Sequence, residues 1–403
     1  MCSQSGFLLD LGDVEFGVSL NSGNDLSLYQ GSGGRSTPIE GGQRYTYTSD
    51  PSVFSFSPTT GPEQGNTTVR VVGSHFRGGS DHRCLFGGYG STLNSFATYD
   101  YESKELICPS PNTYGVAQLV PLEVSLNNRA DSSSASGIQY RYYPHPIVID
   151  ARGPSKHAAP AGVGVNVSLH GYNFTGGDDY RVRFTDQNYA PSVVQGTFVN
   201  DSLVICIAPA DIDARQATVE LTLNGQQYTD PMRFPFFEVL SLSPNTGPTG
   251  GGTLVLVNGT AFDRGGSYRC NFGDGAGVST ASRRDDDTLA CYAPDSGLSG
   301  PRPLEVSLNA RDFTASNITF HYFPQPRMHR VLPIGGPIEG DTLVAARTRD
   351  VGGLANGSHY LCAFGSEVVP ATYVGSAPPF TDVRGPHNND NLIKTIDDKR
   401  PDD

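Results

Sequence analysis

The chain has no tryptophan, no long apolar run, no basic tract and no catalytic signature, and each lack narrows what it can be. Without Trp it is missing the largest ring for stacking on sugars, although 19 Tyr remain. The best apolar stretch, FPFFEVLSL at residues 234–242, falls well short of the roughly 20 residues a membrane helix needs. The opening MCSQSGFLLD has neither the basic residue nor the long apolar run of a signal peptide. Lys and Arg form no run and the net charge is −13, the wrong sign for neutralising phosphates, so nucleic acid is not an expected partner. No G-x-S-x-G, P-loop, G-x-G-x-x-G, H-E-x-x-H or C-x-x-C occurs, so no catalytic residue, metal site or cofactor is expected. No stretch sustains a helical period.

What is present is repetition. SPTTGP at residues 57–62 returns as SPNTGP at 243–248, and each opens a matching passage: GNTTVRVVGSHFRGGSDHRCLFGG from Gly65 and GGTLVLVNGTAFDRGGSYRCNFGD from Gly251. A weaker copy starts at RGP, residues 152–154, and a fourth at LPIGGP, residues 332–337. The shared glycine falls at 61, 153, 247 and 336, in steps of 92, 94 and 89 residues. That step is the size of an immunoglobulin-like sandwich, and 403 residues hold several. Val69 and Val71 alternate with Arg70 and Val72, and Val167 and Leu169 with Asn166 and His170, the period of half-buried strands. A second recurrent strand ends in V-S-L-N or L-T-L-N at Asn127, Asn224 and Asn309, which reads as a hairpin turn. Pro144, His145 and Pro146, and Pro324, Gln325 and Pro326, form short stiff connectors, so a semi-rigid rod is expected.

The motifs S-P-x-x-G-P, G-G-T-x-V-x-V-x-G-x-x-F, C-x-F-G, C-x-x-P and V-S-L-N resemble the IPT/TIG family. That family has an immunoglobulin-like fold and occurs in plexins, the hepatocyte-growth-factor-receptor class, fibrocystin-like proteins and Rel-type transcription factors. The resemblance implies an all-β tandem array of E-set/IPT β-sandwiches, three complete with a partial one at each end. The expected boundaries are 1–50 for a C-terminal half-domain, 51–143 for a complete domain and 146–238 for a degenerate one. A further complete domain is expected at 239–323, an N-terminal half at 325–380 and a polar, disordered tail at 381–403.

The cysteines fit this frame. Cys84 with Cys108 and Cys270 with Cys291 stand at equivalent repeat positions and read as disulfides, each closing a loop of about 22 to 25 residues. Cys206 holds a second-cysteine position whose partner slot is Val182, so it is expected to be free and buried. Cys2 precedes Asn21 by 19 residues, the spacing of Cys108 to Asn127, and is expected to be the second cysteine of a repeat whose front half is not in the chain. Cys362 is a first cysteine with no partner after it. The chain is therefore expected to be an excerpt of a longer array.

Sequons at Asn66, Asn166, Asn173, Asn200, Asn258, Asn317 and Asn356 agree with passage through the secretory pathway. His75 is expected at the surface. Asp285, Asp286 and Asp287 read as a solvated loop, because they lack the spacing of a calcium loop. The glycine pairs at 78–79, 176–177 and 265–266 are expected to be turns with positive φ. Leu254 and Leu256 fall on the outward phase of their strand and could mark a contact. The expected function is a non-enzymatic extracellular or cell-surface adhesion or structural rod. The alternatives are the stalk of a plexin-like receptor and a carbohydrate-binding accessory region of an enzyme. Expected partners are proteins or glycans at the cell surface or in the matrix, and copies of the chain itself.

Overall fold

A computed structural model of the chain describes residues 12–15, 44–47, 49–130, 133–186, 190–210, 212, 217–325, 327–348, 360–376 and 391–395. Among these residues there is no α-helix; a 3-10 turn spans Phe262–Arg264. Cys2 and Asn356 lie outside the described residues.

Strands β1 (Gly12–Glu15) and β2 (Arg44–Tyr47) form an antiparallel pair. Repeat 1 follows with β3 (Ser52–Ser57), β4 (Thr60–Pro62), β5 (Thr68–Ser74), β6 (Arg83–Phe86), β7 (Asn94–Phe96), β8 (Thr98–Asp100), β9 (Glu105–Pro109), β10 (Leu119–Ser125) and β11 (Gln139–Tyr143). One sheet runs β3-β5-β9-β8 and the other β4-β11-β10-β6-β7. The alternation read in the sequence sets the faces: Val69 and Val71 are buried while Thr68 and Arg70 are exposed. The opening S-P-T-T-G-P turn crosses between sheets, so that β4 runs parallel to β11 with Gly61 opposite Tyr142.

Repeat 2 comprises β12 (Ile147–Arg152), β13 (Ala159–Pro160), β14 (Asn166–Tyr172), β15 (Arg181–Thr185), β16 (Ser192–Asn200), β17 (Leu203–Ile207), β18 (Thr218–Thr222) and β19 (Met232–Arg233). Repeat 3 comprises β20 (Phe236–Ser243), β21 (Thr246–Pro248), β22 (Leu254–Thr260), β23 (Arg269–Asn271), β24 (Val278–Arg283), β25 (Thr288–Tyr292), β26 (Gly300–Pro303), β27 (Glu305–Ser307) and β28 (Thr319–Phe323). The boundary expected at residue 238 falls inside β20. This strand leaves repeat 2 paired in parallel with β13 and enters repeat 3 paired with β22, so no linker separates the two domains.

Repeat 4 is one sheet of β29 (Met328–Leu332), β30 (Ala345–Thr348), β31 (Tyr360–Phe364), β32 (Glu367–Ser376) and β33 (Asn391–Thr395), in the order β29-β30-β33-β32-β31. Within the expected tail, Leu392 and Ile393 lie on strand β33, which pairs with β30 on one side and β32 on the other.

Each complete repeat has its own apolar core. The glycine of G-x-x-F is explained by packing. A Cβ at Gly73, Gly171 or Gly259 would stand 2.3, 2.6 or 2.2 Å from the ring of Phe76, Phe174 or Phe262, all three of them buried. The glycine pairs after that Phe need a correction. Positive φ occurs at Gly78, Gly79 and Gly176, whereas Gly265 has φ −103°. What recurs instead is close approach: a Cβ at Gly79, Gly177 or Gly265 would meet the backbone carbonyl of Leu126, Leu223 or Leu308 at 2.3, 2.4 or 2.9 Å.

Substituting Gly259→Ala is expected to destabilise repeat 3 by about 1–3 kcal/mol through overpacking against Phe262. The test is the denaturation midpoint of that repeat; an unchanged midpoint contradicts this account of the motif.

Candidate functional site at the domain junctions

The strand ending in V-S-L-N or L-T-L-N builds the most structured polar site on the chain. The residue after each asparagine is left-handed, with φ 55° at Asn128, 72° at Gly225 and 64° at Ala310. In repeats 2 and 3 the asparagine's Oδ1 closes its own turn. It accepts from the N–H of Gln226 at 3.1 Å and Gln227 at 3.3 Å in repeat 2, and from Arg311 and Asp312 at 2.9 Å in repeat 3. The Nδ2 donates within the turn as well, to Gln227 Oε1 at 2.7 Å in repeat 2 and Asp312 Oδ2 at 2.8 Å in repeat 3, and also reaches the domain before.

At the junction of repeats 1 and 2, Asn224 Nδ2 donates to Thr67 Oγ1 at 3.2 Å and to the Thr60 carbonyl at 3.4 Å. Its neighbours complete the clasp. Gln227 Nε2 donates to the Asn66 carbonyl at 2.8 Å, and Gln227 Oε1 accepts from Thr67 Oγ1 at 3.0 Å. The side-chain amide of Gln226 pairs with the backbone of Thr68 in both directions, at 2.8 and 3.0 Å, as a neighbouring strand would. The carboxylate of Asp178 accepts from Thr59 N at 2.8 Å and from Thr60 Oγ1 at 3.1 Å. Asn224 is only 3% exposed and its Nδ2 also donates to Gln227 Oε1 at 2.7 Å, so losing the acceptors on repeat 1 would cost the net worth of those bonds, about 0.5–1.5 kcal/mol each. Apolar packing crosses the same junction. Tyr143, the last residue of β11, lies in the core of repeat 2, and burial pushes its phenol well above the ordinary range.

The junction of repeats 2 and 3 repeats the device on different residues. Asn309 Nδ2 donates to the Pro154 carbonyl at 3.0 Å, and Ala315 N donates to the Ala161 carbonyl at 3.1 Å. Ala158 of repeat 2 lies in the core of repeat 3.

Sequence reasoning treated these asparagines as hairpin turns and missed Asp178, Gln226 and Gln227 as docking residues. The available signal was that Asn recurs in all three repeats while the residue after it changes from Asn128 to Gly225 to Ala310. A turn alone would constrain the second position at least as strongly.

A second residue that recurs is Glu123, buried in repeat 1. Its carboxylate accepts from Gly137 N at 2.7 Å, Ser136 N at 2.9 Å and Ser134 Oγ at 2.5 Å. Glu305 accepts from Ser316 N and Asn317 N, both at 2.9 Å, and the equivalent Glu220 pairs with Arg183 at 2.6 Å. Glu123 and Glu305 anchor the loop after the docking turn, whereas Glu220 ties β18 to β15.

The structure bonds Cys84 to Cys108 and Cys270 to Cys291, with Cα atoms 6.3 and 6.5 Å apart. Cys206 is buried and unbonded, and burial pushes its thiol up to about 12; Cys362 is also unbonded. Of the described sequons, Asn66, Asn166, Asn200, Asn258 and Asn317 are exposed. Asn173 is half-buried, with Nδ2 on the carbonyl of the connector residue His145 at 3.0 Å. His75 is exposed. Asp285 Oδ1 accepts from Asp287 N at 2.9 Å, and Asp286 pairs with Arg283 at 2.6 Å, which makes this run a closed turn. Leu254 and Leu256 are exposed beside Tyr292, whose register partner is Leu254.

The IPT/TIG domain profile matches residues 51–142, 148–236 and 238–322. The chain is 26% identical to human Fibrocystin-L over 311 residues, covering 73% of this chain and 7% of that protein. It is 31% identical to Plexin-A2 of Mus musculus over 174 residues, covering 42% of this chain and 8% of that protein. Among solved structures, the Plexin A4 full extracellular region aligns with 91% of this chain and 30% of its own length, at 16% identity and TM-score 0.35. The chain thus spans less than a tenth of the length of Fibrocystin-L and of Plexin-A2.

Two outcomes are expected. Asn224→Asp keeps the acceptor that closes the turn but sets a carboxylate against the Thr60 carbonyl. Amide exchange at Thr68, whose N–H donates to Gln226 Oε1 across the junction, should rise by about tenfold or more while the core of repeat 1 is unchanged; unchanged exchange there would show that the clasp carries no energy. Cys206 should resist alkylation at pH 8 until the chain is denatured. Its raised value means that stability from the neutral thiol is complete below the ordinary thiol value of 9.0 and is lost as the pH climbs towards 12. Rapid labelling of folded protein at pH 8 contradicts this.

Proposed function

The chain belongs to the IPT/TIG domain family, and on that premise we propose that it is a non-catalytic, stiff segment of an extracellular or cell-surface protein, one that spaces or presents a binding partner. The observation that carries the proposal is the pair of junctions. Asn224 and Asn309 tie each domain to the one before it, and Tyr143 and Ala158 each lie in the core of the next domain. A chain of modules used one at a time needs no such coupling, and flexible domain arrangement is the usual state of small, polar interfaces. Here the energy is spent on fixing domain orientation, which is what a stalk or rod requires. The two disulfides and the outward sequons at Asn166 and Asn258 support an oxidising, secretory route. The likeness to Plexin-A2 supports the receptor-stalk version of this reading. The partners are proteins or glycans at the cell surface or in the matrix.

Expressed in a secretory host, the chain is expected to leave the cell carrying several N-glycans, Asn258 among them. Non-reducing peptide maps should then show Cys84–Cys108 and Cys270–Cys291. A mass unchanged by glycosidase, with those cysteines reduced, overturns the extracellular reading.

A further inference from the structure

Asn127 is the docking asparagine of repeat 1, yet it stands differently from its two counterparts. It is exposed, and its Oδ1 is turned inward to the N–H of Ser80 at 2.9 Å rather than to its own turn. Asn224 and Asn309 are the same residue on the same strand end, with their donors seated on the opening turn of the preceding repeat. Ser80 occupies the place of Asp178, and Asn128, Arg129 and Ala130 that of Gly225, Gln226 and Gln227.

The backbone ahead of Asn127 supplies a second, independent observation. In β1–β2, Val14 faces Tyr45, the register in which Val120 faces Tyr140 in β10–β11. On that register Tyr47 corresponds to Tyr142, and four residues separate Tyr47 from Ser52, as four separate Tyr142 from Ile147. The pair β1–β2 is thus the last hairpin of a repeat, joined to repeat 1 by a connector of the same length as the one between repeats 1 and 2. In repeat 1 the partner along that hairpin's outer edge is the T-G-P segment, with Thr60 opposite Arg141 and Gly61 opposite Tyr142. Among the described residues, β2 is paired only with β1.

We propose that the outer edge of β2 and the face made by Ser80, Asp81, Asn127 and Asn128 form one socket for the opening turn of a preceding IPT/TIG repeat. This inference rests on the reading of the chain as a coupled array. The occupant is a T-G-P segment running parallel to β2 at Thr46 and Tyr47, with a threonine six residues after its glycine, as Thr67 follows Gly61. Its first carbonyl and its threonine hydroxyl accept from Asn127 Nδ2, as Thr60 and Thr67 do from Asn224. The carbonyl, hydroxyl and parallel strand edge come from one polypeptide segment. Polar contacts of this size are effective when the connector holds the two domains at high local concentration, so the occupant is the repeat to which β1–β2 belongs.

The test replaces residues 1–47 by a second copy of residues 51–142, leaving the connector at residues 48–51 intact. The expected result is that one alignment tensor fits the backbone dipolar couplings of the added copy and of repeat 1. Asn127→Asp should then give the added copy a tensor of its own, as Asn224→Asp does for repeat 1 at its own junction. In the parent chain, Asn127→Asp should change nothing outside its own turn. Because an added domain can fail to fold, a converse variant keeps the whole chain. Asp178→Ser with Gly225→Asn, Gln226→Arg and Gln227→Ala gives repeat 2 the face of repeat 1, and one tensor should still fit repeats 1 and 2. Separate tensors in the converse variant overturn the proposal. So does an Asn127→Asp without effect in the extended chain when Asn224→Asp has one, which leaves the coupled-array reading standing. Concentration-dependent association of the parent chain that Asn127→Asp abolishes overturns the choice of occupant in favour of a second copy. If Asn224→Asp also has no effect, the array reading itself fails.

Discussion

A polar clasp that is fully made only when the neighbouring domain is seated on it is the constraint on which the rest of this structure depends. Asn224 closes its own turn through both amide atoms, with Nδ2 on Gln227 Oε1 at 2.7 Å, and the same Nδ2 reaches Thr67 Oγ1 and the Thr60 carbonyl of repeat 1. Gln226, Gln227 and Asp178 find Thr68, Asn66 and Thr59 together in one orientation of repeat 1 relative to repeat 2, and any other orientation leaves those bonds unmade. Hydrogen bonding here acts as a selector of geometry, while apolar burial of Tyr143 provides the attraction. At the next junction the linker has vanished into β20, and Asn309 performs the same selection on the Pro154 carbonyl.

Much of the sandwich was legible in the sequence, for local reasons. Val69 and Val71 declare a strand with one wet face because the side-chain period of a strand is two, whatever the rest of the fold does. Cys84 and Cys108 sit in β6 and β9 of two sheets, and Cys270 and Cys291 sit in β23 and β25, which β24 joins into one continuous sheet, so the pairing is kept while the sheet boundary is not. Cys206 shows what happens when one member is replaced: with Val182 in the partner slot the thiol becomes a small apolar core residue.

What was not legible depends on contacts far apart in the chain. Nothing near Gln226 announces that its amide will pair with the backbone of Thr68, 158 positions away. The glycine at 265 reads as a turn residue by composition, but it is required because Leu308 leaves no room for a Cβ. The strand at Asn391–Thr395 is polar overall, and its place between β30 and β32 follows from the open edges of those strands more than from its own apolar content. In each case the missing information was the identity of the neighbour.

The central claim is that repeats 1, 2 and 3 move as one body because each asparagine selects a single junction geometry. Residual dipolar couplings of the whole chain in a weakly aligning medium test it most directly. The account predicts that one alignment tensor fits the backbone couplings of residues 51–143, 146–238 and 239–323 together, and that Asn224→Asp splits off repeat 1 with a smaller tensor of its own. Three independent tensors in the unsubstituted chain would contradict it.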